Sequence, residues 1–130
     1  MAKKQPAPQP TDSAPGRFAY EGLHRVIHEK ARLGIMTSLV TRPDGLSFSE
    51  LKELCDLTDG NLNRHLEVLA EAGLVKVTRE GAGRTARTSC KVTAAGRARF
   101  LEYVDELARV VSDAHDATQS VKPKGRFAAT

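Results

Sequence analysis

The 130-residue sequence predicts a mainly helical α+β domain, with several short helices, one small β-hairpin and a long C-terminal helix. Three observations predict it. Apolar residues recur at helical spacing over most of the chain. Period-two alternation is confined to Val75-Lys76-Val77-Thr78 and Thr88-Ser89-Cys90-Lys91-Val92, either side of the glycine-rich Gly81-Ala82-Gly83. A single amphipathic pattern then runs from Thr93 to about Ala117.

Taken in order, residues 1–17 contain Gln5-Pro6-Ala7-Pro8-Gln9-Pro10 and are expected to be a disordered tail. Residues 18–117 are expected to form one folded domain, and residues 118–130, with Lys122, Lys124 and Arg126, a second, basic tail. A short helix is expected over 19–26. Residues 28–41 place Ala31, Ile35 and Leu39 on one face and Leu33, Met36 and Val40 near another. A helix apolar on most sides is a central one. Pro43-Asp44-Gly45 marks a turn, and Leu46-Ser47-Phe48 a short strand that adds to the hairpin. Ser47 or Ser49 caps a helix over 48–56 that buries Phe48, Leu51 and Leu54, and Leu57 makes the turn into the next helix.

That next helix is the most informative. Thr58 is an N-cap, and Asp59 puts negative charge in the first turn. Leu62, Leu66 and Leu69 form one apolar stripe, and Gly73 stops the helix. Gly60, Arg64, Glu67 and Glu71 point away from the stripe, with Asn61 and Asn63 on its flanks. Asn suits adenine edges, and Arg suits guanine edges or phosphates. Gly60 leaves room for close approach to a groove. The hairpin tip, Gly81 to Arg87, carries Arg84 and Arg87 and no acid, which suits the phosphate backbone or a narrow minor groove. A polar-faced helix beside a basic hairpin is the arrangement of a winged helix-turn-helix that reads double-stranded DNA.

Charge supports this reading. The net charge is +4, yet residues 58–99 carry eight bases against four acids, while residues 100–117 are acidic. Segregation of this kind says more about a polyanionic partner than the bulk pI of about 9.3. The mean hydropathy of −0.38 fits a soluble protein. Lys3 and Lys4 are followed by no apolar run, so neither a signal peptide nor a membrane partner is expected, and the expected location is the cytoplasm.

The sequence resembles the small winged-helix regulators related to the MarR and ArsR groups. The resemblance rests on Ile27-His28-Glu29-Lys30-Ala31-Arg32-Leu33-Gly34-Ile35, Phe48-Ser49-Glu50-Leu51-Lys52-Glu53-Leu54 and Leu57-Thr58-Asp59-Gly60-Asn61-Leu62. It continues through His65-Leu66, Glu71-Ala72-Gly73-Leu74-Val75, Gly83-Arg84, Arg87-Thr88 and Val92-Thr93-Ala94-Ala95-Gly96-Arg97, covering about residues 20 to 110. It implies a homodimeric regulator, a repressor by preference, on a pseudo-palindromic site. Residues Thr58 to Arg64 would lie in the major groove, with Arg84 and Arg87 on the wing.

The chain departs from the metal-sensing ArsR pattern, because Leu54-Cys55-Asp56 supplies one cysteine where those sensors have Cys-x-Cys. His24 and His28 share a helix face but lack a third ligand, so neither metal nor cofactor is expected. Cys55 and Cys90 lie in apolar-patterned segments and are expected to be inert. His65 should pack at the domain edge. The sequence carries no Gly-x-Ser-x-Gly, P-loop or His-Glu-x-x-His, so enzyme chemistry has little support. Two further readings stay open: an interaction module that does not read DNA, and a sensor of a small-molecule effector. Phe100, Val104, Leu107, Val111 and Ala114 form a stripe on the last helix that is expected to be left over by so small a core, and hence to be the dimer interface.

Overall fold

The computed structural model describes residues 14–120. Among them, four α-helices and three strands follow in the order α1 (Lys30–Thr41), β1 (Leu46–Ser47), α2 (Phe48–Cys55), α3 (Asp59–Glu71), β2 (Val75–Glu80), β3 (Arg87–Val92) and α4 (Ala94–Ser120). The strands form one antiparallel sheet in the order β1-β3-β2. The expected short strand before α2 is real: Leu46 pairs with Cys90 and Ser47 with Ser89. The hairpin register runs from Val75 opposite Val92 to Glu80 opposite Arg87.

Capping fixes the helix starts. Ser47, not Ser49, caps α2: its side chain accepts from the Glu50 amide while the Glu50 carboxylate accepts from the Ser47 amide, a reciprocal box. The Ser47 amide also holds the Glu50 carboxyl below its ordinary pKa. Thr58 Oγ1 accepts from the Asn61 amide at 3.2 Å and opens α3. The turn between α2 and α3 needs a left-handed residue, and Asp56 supplies it at φ 55°. At the far end of α3, Gly73 takes φ 79°; its amide reaches Ala70 O and the Leu74 amide reaches Leu69 O. That pair of bonds is a Schellman ending.

The core forms where α1, α3 and α4 meet the inner face of the sheet. Ile35, Met36 and Leu39 of α1 are fully buried, as a central helix requires, together with Leu51, Leu62, Leu66, Leu69, Leu74, Val75 and Cys90. Leu54 departs from expectation and is 62% exposed. Helix α2 has only two turns, and Cys55, one turn beyond Leu51, takes the inward place. Val77 is also exposed, because β2 outruns the core.

The segment before α1 is not the expected helix. Residues 14–29 are a chain of turns whose amides bond two to four residues back, as in Leu23 to Tyr20 and His24 to Gly22. Tyr20 has a positive φ of 49°, which breaks any helix there. Helix α1 starts at Lys30, not His28, because the Glu29 side chain caps it by accepting from the Arg32 amide. That bond also holds the Glu29 carboxyl below its usual range.

This N-terminal segment is strapped to α4. Arg17 makes two bonds of 3.1 Å to Asp113, Tyr20 Oη donates to the same carboxylate at 2.7 Å, and the Gly22 amide donates to Glu106. A Cβ at Gly22 would collide with Glu106. Arg17, grouped with the N-terminal tail in the sequence, therefore belongs to the folded domain. Helix α4 likewise continues past 117 to Ser120. The remaining tail residues, 1–13 and 121–130, lie outside the described residues.

Helix α4 also corrects the expected stripe. Phe100 is buried in the chain's own core with Tyr103, and Leu107 is packed against that core. Leu101, Val104, Ala108, Val111 and Ala114 are exposed. The stripe named from the sequence thus straddles two faces, one of them consumed by the domain itself.

Two stability predictions follow from these contacts. A Cβ at Gly96 would run into the Leu74 backbone. Gly96→Ala is expected to cost about 1–3 kcal/mol through forced displacement, read as a lower urea midpoint. The Arg17 and Tyr20 hydrogen bonds hold the Asp113 carboxyl below its ordinary value of 3.8. A depressed carboxyl stabilises the fold above its unfolded pKa and loses that contribution as pH falls through the folded value. Asp113→Asn is expected to lower the melting temperature at neutral pH, with the gap to wild type closing in strong acid; melting curves across that range check it.

Candidate nucleic-acid interface

Helix α3 is held by its leucine stripe, so its other faces are open. Asp59, Gly60, Asn61, Asn63 and Arg64 are all exposed. Thr58 is exposed too, but its hydroxyl is occupied by the cap. Space for a Cβ at Gly60 is empty to 4 Å, so the helix surface there is as low as backbone allows. Asn61 Oδ1 accepts from Arg64 Nη2 at 3.4 Å, which steadies the guanidinium over the first turn. Asp59 does not stand alone: Lys52 of α2 reaches it at 2.8 Å. The pair ties the two helices of the helix-turn-helix and offsets the Asp59 charge on the exposed side of α3. Both side chains remain substantially exposed, so its net stabilisation is small.

The wing is the β2–β3 hairpin, which touches α3 through β2 and α2 through β3. Its tip is a single 3-10 turn, Gly83–Thr85, holding Arg84, and Arg87 opens β3. Gly81 at φ 85° turns the chain there, and a Cβ on it would strike the Thr85 carbonyl. Arg84 and Arg87 line a cleft with Ser47, Phe48 and Ser49. The structure thus places the two wing arginines beside the N-terminus of α2, where free amides and the helix dipole favour an anion. A phosphate in that cleft would meet the two guanidinium groups on one wall, while the Glu50 carboxylate keeps its place in the α2 capping box on the other.

Between α3 and the wing runs a second, smaller groove lined by Asn63, Leu66, Glu67, Ala70, Val77 and Thr88. Asn63 faces this groove, whereas Arg64 lines a shallow surface on the opposite flank with Glu67, Val68 and Glu71. The site residues named from the sequence therefore fall into two groups, one on α3 and one on the wing tip. Sequence reasoning missed Lys52 and the α2 N-terminus. The Lys52–Asp59 pairing depends on how two helices cross and leaves no signal in the sequence.

The remaining titratable candidates are used structurally. His65 Nδ1 lies 3.2 Å from Arg32 Nη1 and 3.9 Å from Glu29 Oε1, and the Arg32 Nε donates to Val26 O, so this cluster joins α3 to the start of α1. His28 Nδ1 is 2.7 Å from the Tyr103 hydroxyl. Among the described residues, no group of three or more His, Cys, Asp or Glu is placed to hold a metal ion. Burial pushes the Cys90 thiol up to about 11, which leaves no reactive thiolate at neutral pH. No described helix is long and apolar enough to cross a membrane.

Comparison with known proteins agrees with this geometry. Residues 31–111 match the winged helix DNA-binding domain family. A structure described as a transcriptional regulator homologue from Pyrococcus horikoshii OT3 is 34% identical, with a TM-score of 0.64 over 68% of this chain and 87% of that one. A MarR-family transcriptional regulator from Silicibacter pomeroyi shares the fold at 22% identity, with a TM-score of 0.51 over 84% of this chain and 73% of that one. An uncharacterized protein of Methanocaldococcus jannaschii is 40% identical over 60 residues, which are 46% of this chain and 65% of the relative's length. With that match and that fold, the chain belongs to the winged helix DNA-binding domain family, among transcriptional regulators.

Proposed function

We propose that the chain is a sequence-specific transcriptional regulator that grips a pseudo-palindromic DNA operator as a homodimer. The observation that carries this reading is the exposed first half of α3, with Asn61, Asn63 and Arg64, set in the same face-forming unit as an acid-free arginine wing tip. In this reading the α3 side chains contact base edges in the major groove. Arg84 and Arg87, with the α2 N-terminus, hold backbone phosphate. The simplest action of such a module is to occlude a promoter, that is, repression.

The dimer reading rests on α4. Its inward face carries Phe100, Tyr103 and Leu107, and its strap-facing side carries Glu106 and Asp113. A third sector shows Leu101 at 53%, Val104 at 39% and Val111 at 60% exposure, with exposed Ala108 between them. The intervals 101, 104, 108, 111 are the alternating three and four of a coiled-coil seam. Pairing of this seam with a second copy covers it and sets two reading helices about 34 Å apart, one duplex turn.

Binding to the DNA upstream of the chain's own coding region, followed by mobility shift across a salt series, tests the DNA reading. Affinity is expected to fall steeply with salt as counterions are released. A flat dependence would favour an interaction module that does not read DNA. Arg64→Ala is expected to cost about 1–3 kcal/mol on the specific site and relax sequence preference. Arg84→Ala should weaken specific and random DNA alike; identical selectivity profiles for the two variants overturn the division of roles. For the dimer, Val111→Glu introduces a charge at an exposed position and so spares the fold. Sedimentation should show monomers; an unchanged dimer would remove the seam from the interface.

A further inference from the structure

We infer that Glu67 is a base-reading residue, one that selects cytosine next to the position read by Arg64. The inference rests on the DNA-reading proposal above and extends it to a carboxylate that phosphate electrostatics alone would disfavour.

Four acids lie in the otherwise basic stretch 58–99: Asp59, Glu67, Glu71 and Glu80. Among the described residues, only Asp59 of the four is ion-paired, with Lys52. Glu80 ends β2 and shares no face with α3's exposed ridge. Glu71 is the last residue of α3, one turn further from the N-cap than Glu67. Glu67 remains. It is exposed, and among the described residues it has no recorded ion pair.

Its position is specific. Gly60, Arg64 and Glu67 follow at intervals of four and three, so they make one ridge opposite the buried Leu62, Leu66 and Leu69. Glu67 lines both surface depressions of α3, with Arg64 on one flank and with Asn63 and Val77 on the other. It therefore stands on the crest of the helix, between the two side chains best suited to bases. Three residues of helix rise about 4.5 Å, close to the rise of about 3.4 Å between stacked base pairs. A ridge that places Arg64 on a guanine edge brings Glu67 to the neighbouring step. A carboxylate has only acceptors to offer. In the major groove its partner is the cytosine N4 amino group. The same charge would repel phosphate, so an incorrect register would be penalised as well as the correct one rewarded.

The test uses the full chain and a pool of duplexes randomised over about 20 base pairs, enough for two half-sites. Selected sequences are compared for wild type, Glu67→Gln and Glu67→Ala, with circular dichroism confirming that each variant is folded. Wild type should enrich cytosine at one position per half-site, adjacent to the position that Arg64→Ala relaxes. Glu67→Ala should lose about 10-fold discrimination there and keep the rest of the profile. An unchanged profile with uniformly tighter binding shows that Glu67 is only a repulsive surface charge, and the inference falls while the DNA-reading proposal stands. If wild type enriches no sequence at all, both fall together.

Discussion

The carbonyl oxygens of Gly73 and Leu74 lie where four elements converge. The Thr93 hydroxyl donates to Gly73 O at 2.7 Å, and the Thr93 amide donates to Leu74 O at 3.0 Å. The same hydroxyl then accepts from the Gly96 amide and starts α4. One threonine thus joins the end of α3, the start of β2, the end of β3 and the start of α4. The close fit of Gly96 against the Leu74 backbone leaves this junction no slack. Reading helix, wing and final helix are therefore referenced to one point, and a rotation of α4 would be carried to α3 without an intervening flexible loop. A module that presents side chains to a groove depends on that rigidity, since misplacement by a fraction of a side chain costs most of the discrimination.

The elements were legible in the sequence wherever their cause was local. Thr58, Ser47 and Gly73 act within one helical turn of their own positions, and the leucine stripe of α3 needs only a helical period to be seen. The short strand at Leu46-Ser47 was legible because a proline-glycine turn precedes it and a cap follows. What escaped was set by contacts far apart in the chain. Nothing near residues 19–26 announces that their hydrogen bonds go to Asp113 and Glu106 instead of into a helix. Leu54 resembles Leu51 in every local respect, and only the brevity of α2 leaves it outside. On the site, the polar residues of α3 and the wing arginines could be named individually. Their separation into a group on α3 and a cleft with the α2 N-terminus is set by how α2 packs on α3 and β3.

The acidic character of the last helix has a different meaning in three dimensions from the one its composition gives. Read as charge alone, Glu102, Asp105, Glu106, Asp113 and Asp116 keep α4 away from a polyanion. In the fold, Glu106 and Asp113 are ligands for the N-terminal strap, with Arg109 also drawn in, 3.2 Å from Glu106 and over the Tyr20 ring. Helix α4 is consequently divided into an inward apolar face, a strap-bound acidic side and an open apolar sector. The burial of Phe100 in the first of these sectors explains why one apolar stripe could not be assigned from spacing alone.

The strap has a consequence for how the chain is made. Its link from Arg17 to Asp113 closes 96 residues. The entropy of such a closure grows only slowly with length, so the contact is affordable in the finished protein. During synthesis the order is strict: residues 14–23 leave the ribosome long before the carboxylates that hold them exist. The helix-turn-helix and wing, built from near neighbours in sequence, can gather first. The strap docks last, and only on an α4 already formed to Asp113, so its closure records that the final helix is complete.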